Sequence, residues 1–294
     1  MMTLPRNAPK TTKIDTLGPD SLPVLLGETP HGSYRLLIQG GQLLDWTPTG
    51  EAPVIWLSPH SHFLRGKPPR GGIPICWPWF GPASEAGLPA HGTVRGAHWR
   101  LDGLAAMEDG SHAIRLCLDD PKAEAPNVSL TIDFTIGRTL KITLETHNQG
   151  AAPFAFSEAL HSYFGVSDVR HIEIRGLGEG PYLDRADGDL PKKSADPLRI
   201  EGETDRIFLE APQRLTLLDP GFARRISVST EGAGSAIVWN PGARKAEALG
   251  DLGASDYLRM VCLESGNAAK NAVVLPPKSR HQLTVYYEVS PLTP

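Results

Sequence analysis

The run SLTIDFTIG (Ser129 to Gly137) sets Leu130, Ile132, Phe134 and Ile136 against Thr131, Asp133 and Thr135. LKITLET (Leu140 to Thr146) sets Leu140, Ile142 and Leu144 against Lys141, Thr143 and Glu145. A period of two puts alternate side chains on opposite faces of a pleated strand, so each run reads as a half-buried strand. The Gly137-Arg138 separator predicts a hairpin between them. HAIRLCLDD (Ile114, Leu116, Leu118) and QLTVYYEV (Leu283, Val285, Tyr287, Val289) alternate in the same way. Shorter runs at Tyr34 to Ile38, Ile172 to Ile174, Ile226 to Val228 and Ala236 to Trp239 predict further strands, with Gly and Pro mostly between them. No long stretch has helical periodicity, so helices are expected only as short connectors. The fold class is all-β: one large antiparallel β-sandwich over 21–294, preceded by a flexible N-terminus over 1–20.

Bulk properties narrow the function. The formal net charge of −4 gives no basic field for nucleic acid or an anionic membrane. MMTLPRNAPKTTKIDTLG has no apolar core of signal-peptide length, and no later segment approaches a membrane span. The three cysteines, Cys76, Cys117 and Cys262, fit reduced thiols in a cytoplasmic protein. Neither a nucleic-acid nor a membrane partner is expected.

RGGIPICWPWFGP (Arg70 to Pro82) holds Trp77, Trp79 and Phe80 among three Gly and three Pro. Its prolines exclude a helix interior and a central strand, so it reads as a loop, yet one too apolar for ordinary solvation. Rigid aromatic faces beside a cation suit a pocket for something ring-shaped or phosphorylated; a Pro-rich plug at the end of the sandwich is the alternative. HGTVR (His91 to Arg95) adds a second Gly-broken loop with an Arg.

LHSYFG and MVCLESGN place His161 and Glu264 near the ends of apolar runs. Converging at a sandwich mouth, they would form a general acid/base pair. A hydrogen-bonded core His and a solvated Glu are the alternatives. Asp205, in ETDRIF, follows a polar loop. Other chemistries fit less well. His60 and His62 lack a third ligand at suitable spacing, so no metal is expected. GLGEG (Gly176 to Gly180) is not a dinucleotide fingerprint, and no GKS or GKT is present, so any phosphate falls to Arg or Lys. The apolar surroundings of Cys76 argue against a nucleophile.

Together, DWTP (Asp45 to Pro48), WLS (Trp56 to Ser58), RGGIPICWPWFGP, HGTVR, LHSYF, TDRIF, VWNPG (Val238 to Gly242), LGDLG (Leu249 to Gly253) and CLE span nearly the whole chain. In that order they resemble the glucose-6-phosphate 1-epimerases, or hexose-phosphate mutarotases, of the aldose 1-epimerase superfamily. The resemblance implies a mutarotase-like sandwich that interconverts the anomers of a hexose 6-phosphate without a cofactor. It implies His161 as catalytic acid, kept protonated by a negative site, and Glu264 as catalytic base, the two side by side at the mouth with room for one sugar ring between imidazole and carboxylate. Their titration would give a bell-shaped pH profile, limited by the carboxylate in acid and the imidazolium in base. Arg70, Arg95 and Asp205 fall on substrate-binding positions with His91 in the same pocket, the two arginines clamp the phosphate, and Trp77 or Trp79 walls the sugar. Some family members have a substrate-contacting Gln where this chain has Ala90. A mutarotase for unphosphorylated aldoses, a non-catalytic sugar-phosphate module and a glycoside hydrolase are the rival readings, and a monomer or weak homo-oligomer is expected.

Overall fold

The computed structural model describes residues 3–119, 125 and 127–292. Two eight-stranded antiparallel sheets pack face to face. The first runs, in spatial order, Glu173–Arg175, Arg214–Asp219, Arg224–Glu231, Arg280–Pro291, Leu140–Asn148, Val128–Ile136, His112–Leu118 and Trp99–Ala106. The second runs Leu190–Lys193, Pro181–Asp184, Thr204–Phe208, Ser235–Asn240, Met260–Asn267, Glu158–Leu160 and Ile75–Cys76, with Tyr163–Gly165 also on Met260–Asn267.

The alternating runs behave as their pattern dictates. In Val128–Ile136 every second side chain is buried, and the strand pairs with Leu140–Asn148 from Val128 opposite Asn148 to Ile136 opposite Leu140. The turn is one residue longer than the Gly-Arg separator, because Thr139 stays outside the ladder and its carbonyl accepts from the Gly137 N–H. On the wet face, Arg115 donates to both oxygens of its cross-strand partner Asp133. The inward faces of both sheets meet in one core, where Leu130, Ile132, Phe134 and Leu144 join Leu160, Val261, Leu263 and Val238.

A four-stranded meander, Thr12–Leu17, Leu22–Thr29, Gly32–Leu37 and Gln42–Pro48, extends this core through Tyr34, Leu36, Leu43 and Trp46. Its first strand lies where a flexible N-terminus was expected: Thr12–Leu17 pairs in register with Leu22–Gly27, and Thr12 is buried. The one α-helix among the described residues is Gly242–Ala248, a short connector as expected. No helix among them is long and apolar enough to cross a membrane.

Phe134 is only 2% exposed, in the middle of this core. Phe134→Ala should cost about 3–5 kcal/mol through lost burial and a residual cavity. A shift in the denaturation midpoint, at unchanged slope, measures it. A cost below about 1 kcal/mol would mean that Phe134 does not hold the two sheets together.

Candidate active site

The cavity lies on the outer face of the second sheet, away from the core. Its floor follows from strand register. Glu158–Leu160 pairs with Met260–Asn267 from Glu158 opposite Asn267 to Leu160 opposite Ser265, and Tyr163–Gly165 continues the same alignment from Tyr163 opposite Cys262. Between the two segments the alignment sets His161 opposite Glu264. The His161 N–H points to the strand on the other side and donates to the Pro74 carbonyl at 3.0 Å, extending the register that pairs Leu160 with Ile75. The irregularity is at Ser162, whose N–H turns back to the Leu160 carbonyl. Parity then sorts the side chains. Leu160, Ser162 and Phe164 face the core, where the Ser162 hydroxyl meets Tyr287 Oη at 2.6 Å, while His161 and Tyr163 face the cavity. On the next strands Ile237 stands opposite Glu264, and Trp239 stands between Cys262 and Asp205.

His161 Nε2 and Glu264 Oε1 are 3.5 Å apart, on side chains 10% and 1% exposed. They are therefore adjacent cross-strand neighbours, without the sugar-sized gap expected from sequence. They also rise from a sheet face instead of a mouth at the strand ends. His161 stacks on Tyr163, ring centroids 4.8 Å apart and nearly parallel, and Trp239 meets it edge-on. Neither His161 Nδ1 nor Glu264 Oε2 has a hydrogen-bond partner among the described residues.

Electrostatics push the pair toward its uncharged form. Burial, then Asp205, raises the Glu264 carboxyl well above its ordinary value, with Arg95 opposing. Burial, then His91, Arg95 and Arg70, holds the His161 imidazole well below its own. The sequence reading had a negative site keeping His161 protonated; the cavity instead carries Lys67, Arg70, Arg95, Arg185 and Lys245. Asp205 is itself raised by burial, against the pull of Arg185 and Lys245.

His91 forms one wall. Its backbone is left-handed (φ 63°), and its N–H donates to the Gly81 carbonyl at 2.7 Å. The Gly81 N–H donates back to His91 Nδ1 at 3.3 Å, which leaves the ring proton on Nε2. Burial and nearby Arg95, Arg185 and Arg70 push this imidazole down to about 3, making it a neutral donor at physiological pH. Gly92 follows with φ 81°, and a Cβ there would lie 1.8 Å from the Trp77 carbonyl oxygen, so no larger residue fits this corner.

The arginines are held differently. Arg70 donates to Asp251 and to Tyr163 Oη, both at 3.1 Å. Arg95 donates to the Ala90 carbonyl at 2.8 Å, so position 90 contributes a backbone oxygen in place of a side chain. Arg185 forms one ion pair among the described residues, with Asp189 at 3.7 Å. Sequence reasoning singled out neither Arg185, Lys67, Lys245 nor Tyr163 as a site residue, although the quoted VWNPG and LGDLG segments contain Trp239 and Asp251. Two expected wall residues are misplaced. Trp77 is 1% exposed and packs against Phe154 and Phe156 in the core. Trp79 donates to the Pro89 carbonyl outside the cavity lining. Phe80 and Trp239 supply the aromatic walls instead. RGGIPIC is also more than a loop, since Ile75–Cys76 is a short strand on Glu158–Leu160.

The cavity, about 590 Å³, brings together Arg70, Arg95, His91, His161, Asp205 and Glu264 from segments far apart in sequence. Its size lies within the usual range for small-molecule sites.

Comparison with known proteins agrees with this architecture. The chain is 32% identical over 266 residues to a protein of Escherichia coli (strain K12) described as "Putative glucose-6-phosphate 1-epimerase", covering 89% of each chain. A Salmonella typhimurium protein of the same description is 33% identical over 253 residues, 84% of this chain and 83% of that one. The crystal structure of a "putative mutarotase (YeaD)" from Salmonella typhimurium superposes with a TM-score of 0.89 at 29% identity, covering 98% of this chain and 97% of that one. With the aldose 1-epimerase family model matching residues 24–288, the chain belongs to the aldose 1-epimerase family.

Proposed function

We propose that this chain interconverts the α and β anomers of a hexose 6-phosphate, glucose 6-phosphate foremost, by acid/base-catalysed opening and closing of the sugar ring. The observation that carries this reading is the His161–Glu264 pair, 3.5 Å apart beneath a cavity ringed by cations. The descriptions of the Escherichia coli and Salmonella relatives support it.

The two oxygens that exchange protons, O1 and the ring oxygen O5, are bonded to one carbon, so an acid and a base standing side by side reach both at once. Glu264 takes the O1 proton while the O1 electrons form the carbonyl. The C1–O5 bond breaks and O5 takes a proton from His161. Rotation about C1–C2 presents the other aldehyde face, and closure returns both protons. His91 Nε2–H and Asp205 orient the hydroxyls, and Phe80 and Trp239 face the ring. A phosphate dianion beside Arg70, Arg95 and Arg185 offsets the positive charge that depresses His161. Substrate thus moves the pair's single proton from Glu264 toward the imidazole.

Glu264→Gln keeps shape and removes the base. Anomerisation followed by saturation-transfer NMR should slow by about 10²–10⁴ while glucose 6-phosphate still binds; near-normal turnover would remove Glu264 from the mechanism. The pH profile of kcat/KM should be bell-shaped around the singly protonated pair. Its acid limb is uptake of a second proton by the depressed imidazole, below the ordinary 6.5. Its alkaline limb is loss of the last proton from the raised carboxyl, above the ordinary 4.5. This order reverses the one expected from sequence, and an acid limb above 6.5 would contradict it.

Arg95 gives the cleaner test of phosphate recognition, because removing Arg70 also strips Asp251 and Tyr163 of their partner. A hydrogen bond to a charged group contributes about 1.5–3 kcal/mol, so Arg95→Ala should weaken glucose 6-phosphate by about 10- to 100-fold and spare free glucose. Lys at this position should rescue only in part, lacking the planar fork. Equal losses for both sugars would favour an unphosphorylated aldose as substrate.

A further inference from the structure

Three residues before His161 and three after Glu264, on the opposite face of the same two strands, lies a second polar cluster. Glu158 is completely buried between the sheets. Its Oε1 accepts from Asn267 Nδ2 at 3.0 Å and from His281 Nε2 at 2.7 Å, while Oε2 has no partner among the described residues. Asn267 is the register partner of Glu158, and His281 comes from Arg280–Pro291 in the facing sheet. Asn267 also donates to the Gly232 carbonyl at 2.9 Å and accepts from the Gly234 N–H at 2.8 Å, tying in the turn after Arg224–Glu231.

A buried carboxylate with one bare oxygen is a poor source of stability, since apolar residues of similar volume commonly do as well or better. What such a cluster can supply is register. A one-residue slip of Glu158–Leu160 would carry Glu158 out of reach of His281 and turn His161 into the core. Glu158–Leu160 is only three residues long, and the Ser162 N–H just beyond it turns back to the Leu160 carbonyl. The cluster thus adds an anchor on the core side to the Pro74 bond and the Tyr163 stack that hold His161 on the cavity side.

We propose that Glu158, Asn267 and His281 form a buried brace, with Glu158 and His281 as positioning residues that hold His161 against Glu264. Neither touches the cavity; they act through the strand. The kinetic part rests on the catalytic reading of the pair, whereas the structural part stands without it.

The test compares His281→Leu with His281→Gln in the full chain, below each variant's melting temperature. Displacing a catalytic group by about 1 Å can cost about 10²-fold, so His281→Leu should lower kcat about 10- to 100-fold with KM little changed. The amide N–H of Gln can still donate to Glu158, so His281→Gln should recover most of the rate. In ¹⁵N-histidine NMR spectra the His161 ring signals should move in the Leu variant and return in the Gln variant. If His281→Leu does not fold, Glu158→Met removes the brace together with the buried carboxyl group, and the same loss of kcat and displaced signals are expected. Wild-type kcat and wild-type His161 signals in a folded Leu or Met variant would overturn the proposal, as would equal losses in the Leu and Gln variants. The spectra require no turnover, so a wild-type protein that does not anomerise glucose 6-phosphate would refute the proposed function and leave the brace to be decided by NMR.

Discussion

The site depends on one antiparallel alignment, the pairing of residues 158–165 with 260–267. Directly opposed residues in such a ladder keep their Cβ atoms about 4.5–5.5 Å apart. Two polar side chains on one rung therefore meet without any loop having to bring them together. That rung holds His161 and Glu264, and the His161 N–H, donating to the Pro74 carbonyl, ties the same residue to the strand on its other side. The sheets behind supply rigidity: Leu160, Phe164, Val261 and Leu263, apolar core-facing residues of these strands, belong to the main core.

The same burial governs the chemistry. Removing both groups from water costs most in the charged forms, so the carboxyl rises, the imidazole falls, and the uncharged form of the pair is favoured. The surrounding arginines reinforce this on the imidazole side. The cavity therefore carries its positive charge at the walls, while burial favours the uncharged form of the pair on its floor, an arrangement suited to an anion.

Much of the fold is legible in the sequence because strand periodicity is a local property. Val128–Ile136 and Leu140–Asn148 each carry enough alternating residues to declare their faces. Thr12–Leu17 carries too few: Ile14 and Leu17 are its only apolar members, and its strand character comes from pairing with Leu22–Thr29. The prolines around Trp77 and Trp79 remove the periodicity that would assign a face, so residue type alone could not separate a core Trp from a pocket wall. His161 and Glu264 stand out at the ends of apolar runs, but their roles as a pair come from motif resemblance, since spacing in sequence carries no contact information. Arg185 stands in a short 3-10 turn and Lys245 on the Gly242–Ala248 helix, surface positions where an arginine or lysine is ordinary, and only the folded arrangement aims them at the cavity.

Recognition of the phosphate and activation of the acid are then one event on the proposed reading. Arg95 bears on both members of the pair, drawing the carboxyl down while holding the imidazole down, whereas Arg70 bears on the imidazole. Neutralising both arginines leaves the carboxyl with less stabilisation as an anion, yet it relieves the imidazole from two directions. The balance shifts toward a protonated imidazole through the second arginine, the one already anchored to Asp251 and Tyr163. Tyr163 also stacks on His161, so the side chain that fixes Arg70 also fixes the ring whose protonation Arg70 opposes. A ligand without a negative group would occupy the same floor but leave that opposition in force, so discrimination would show in turnover as well as in binding.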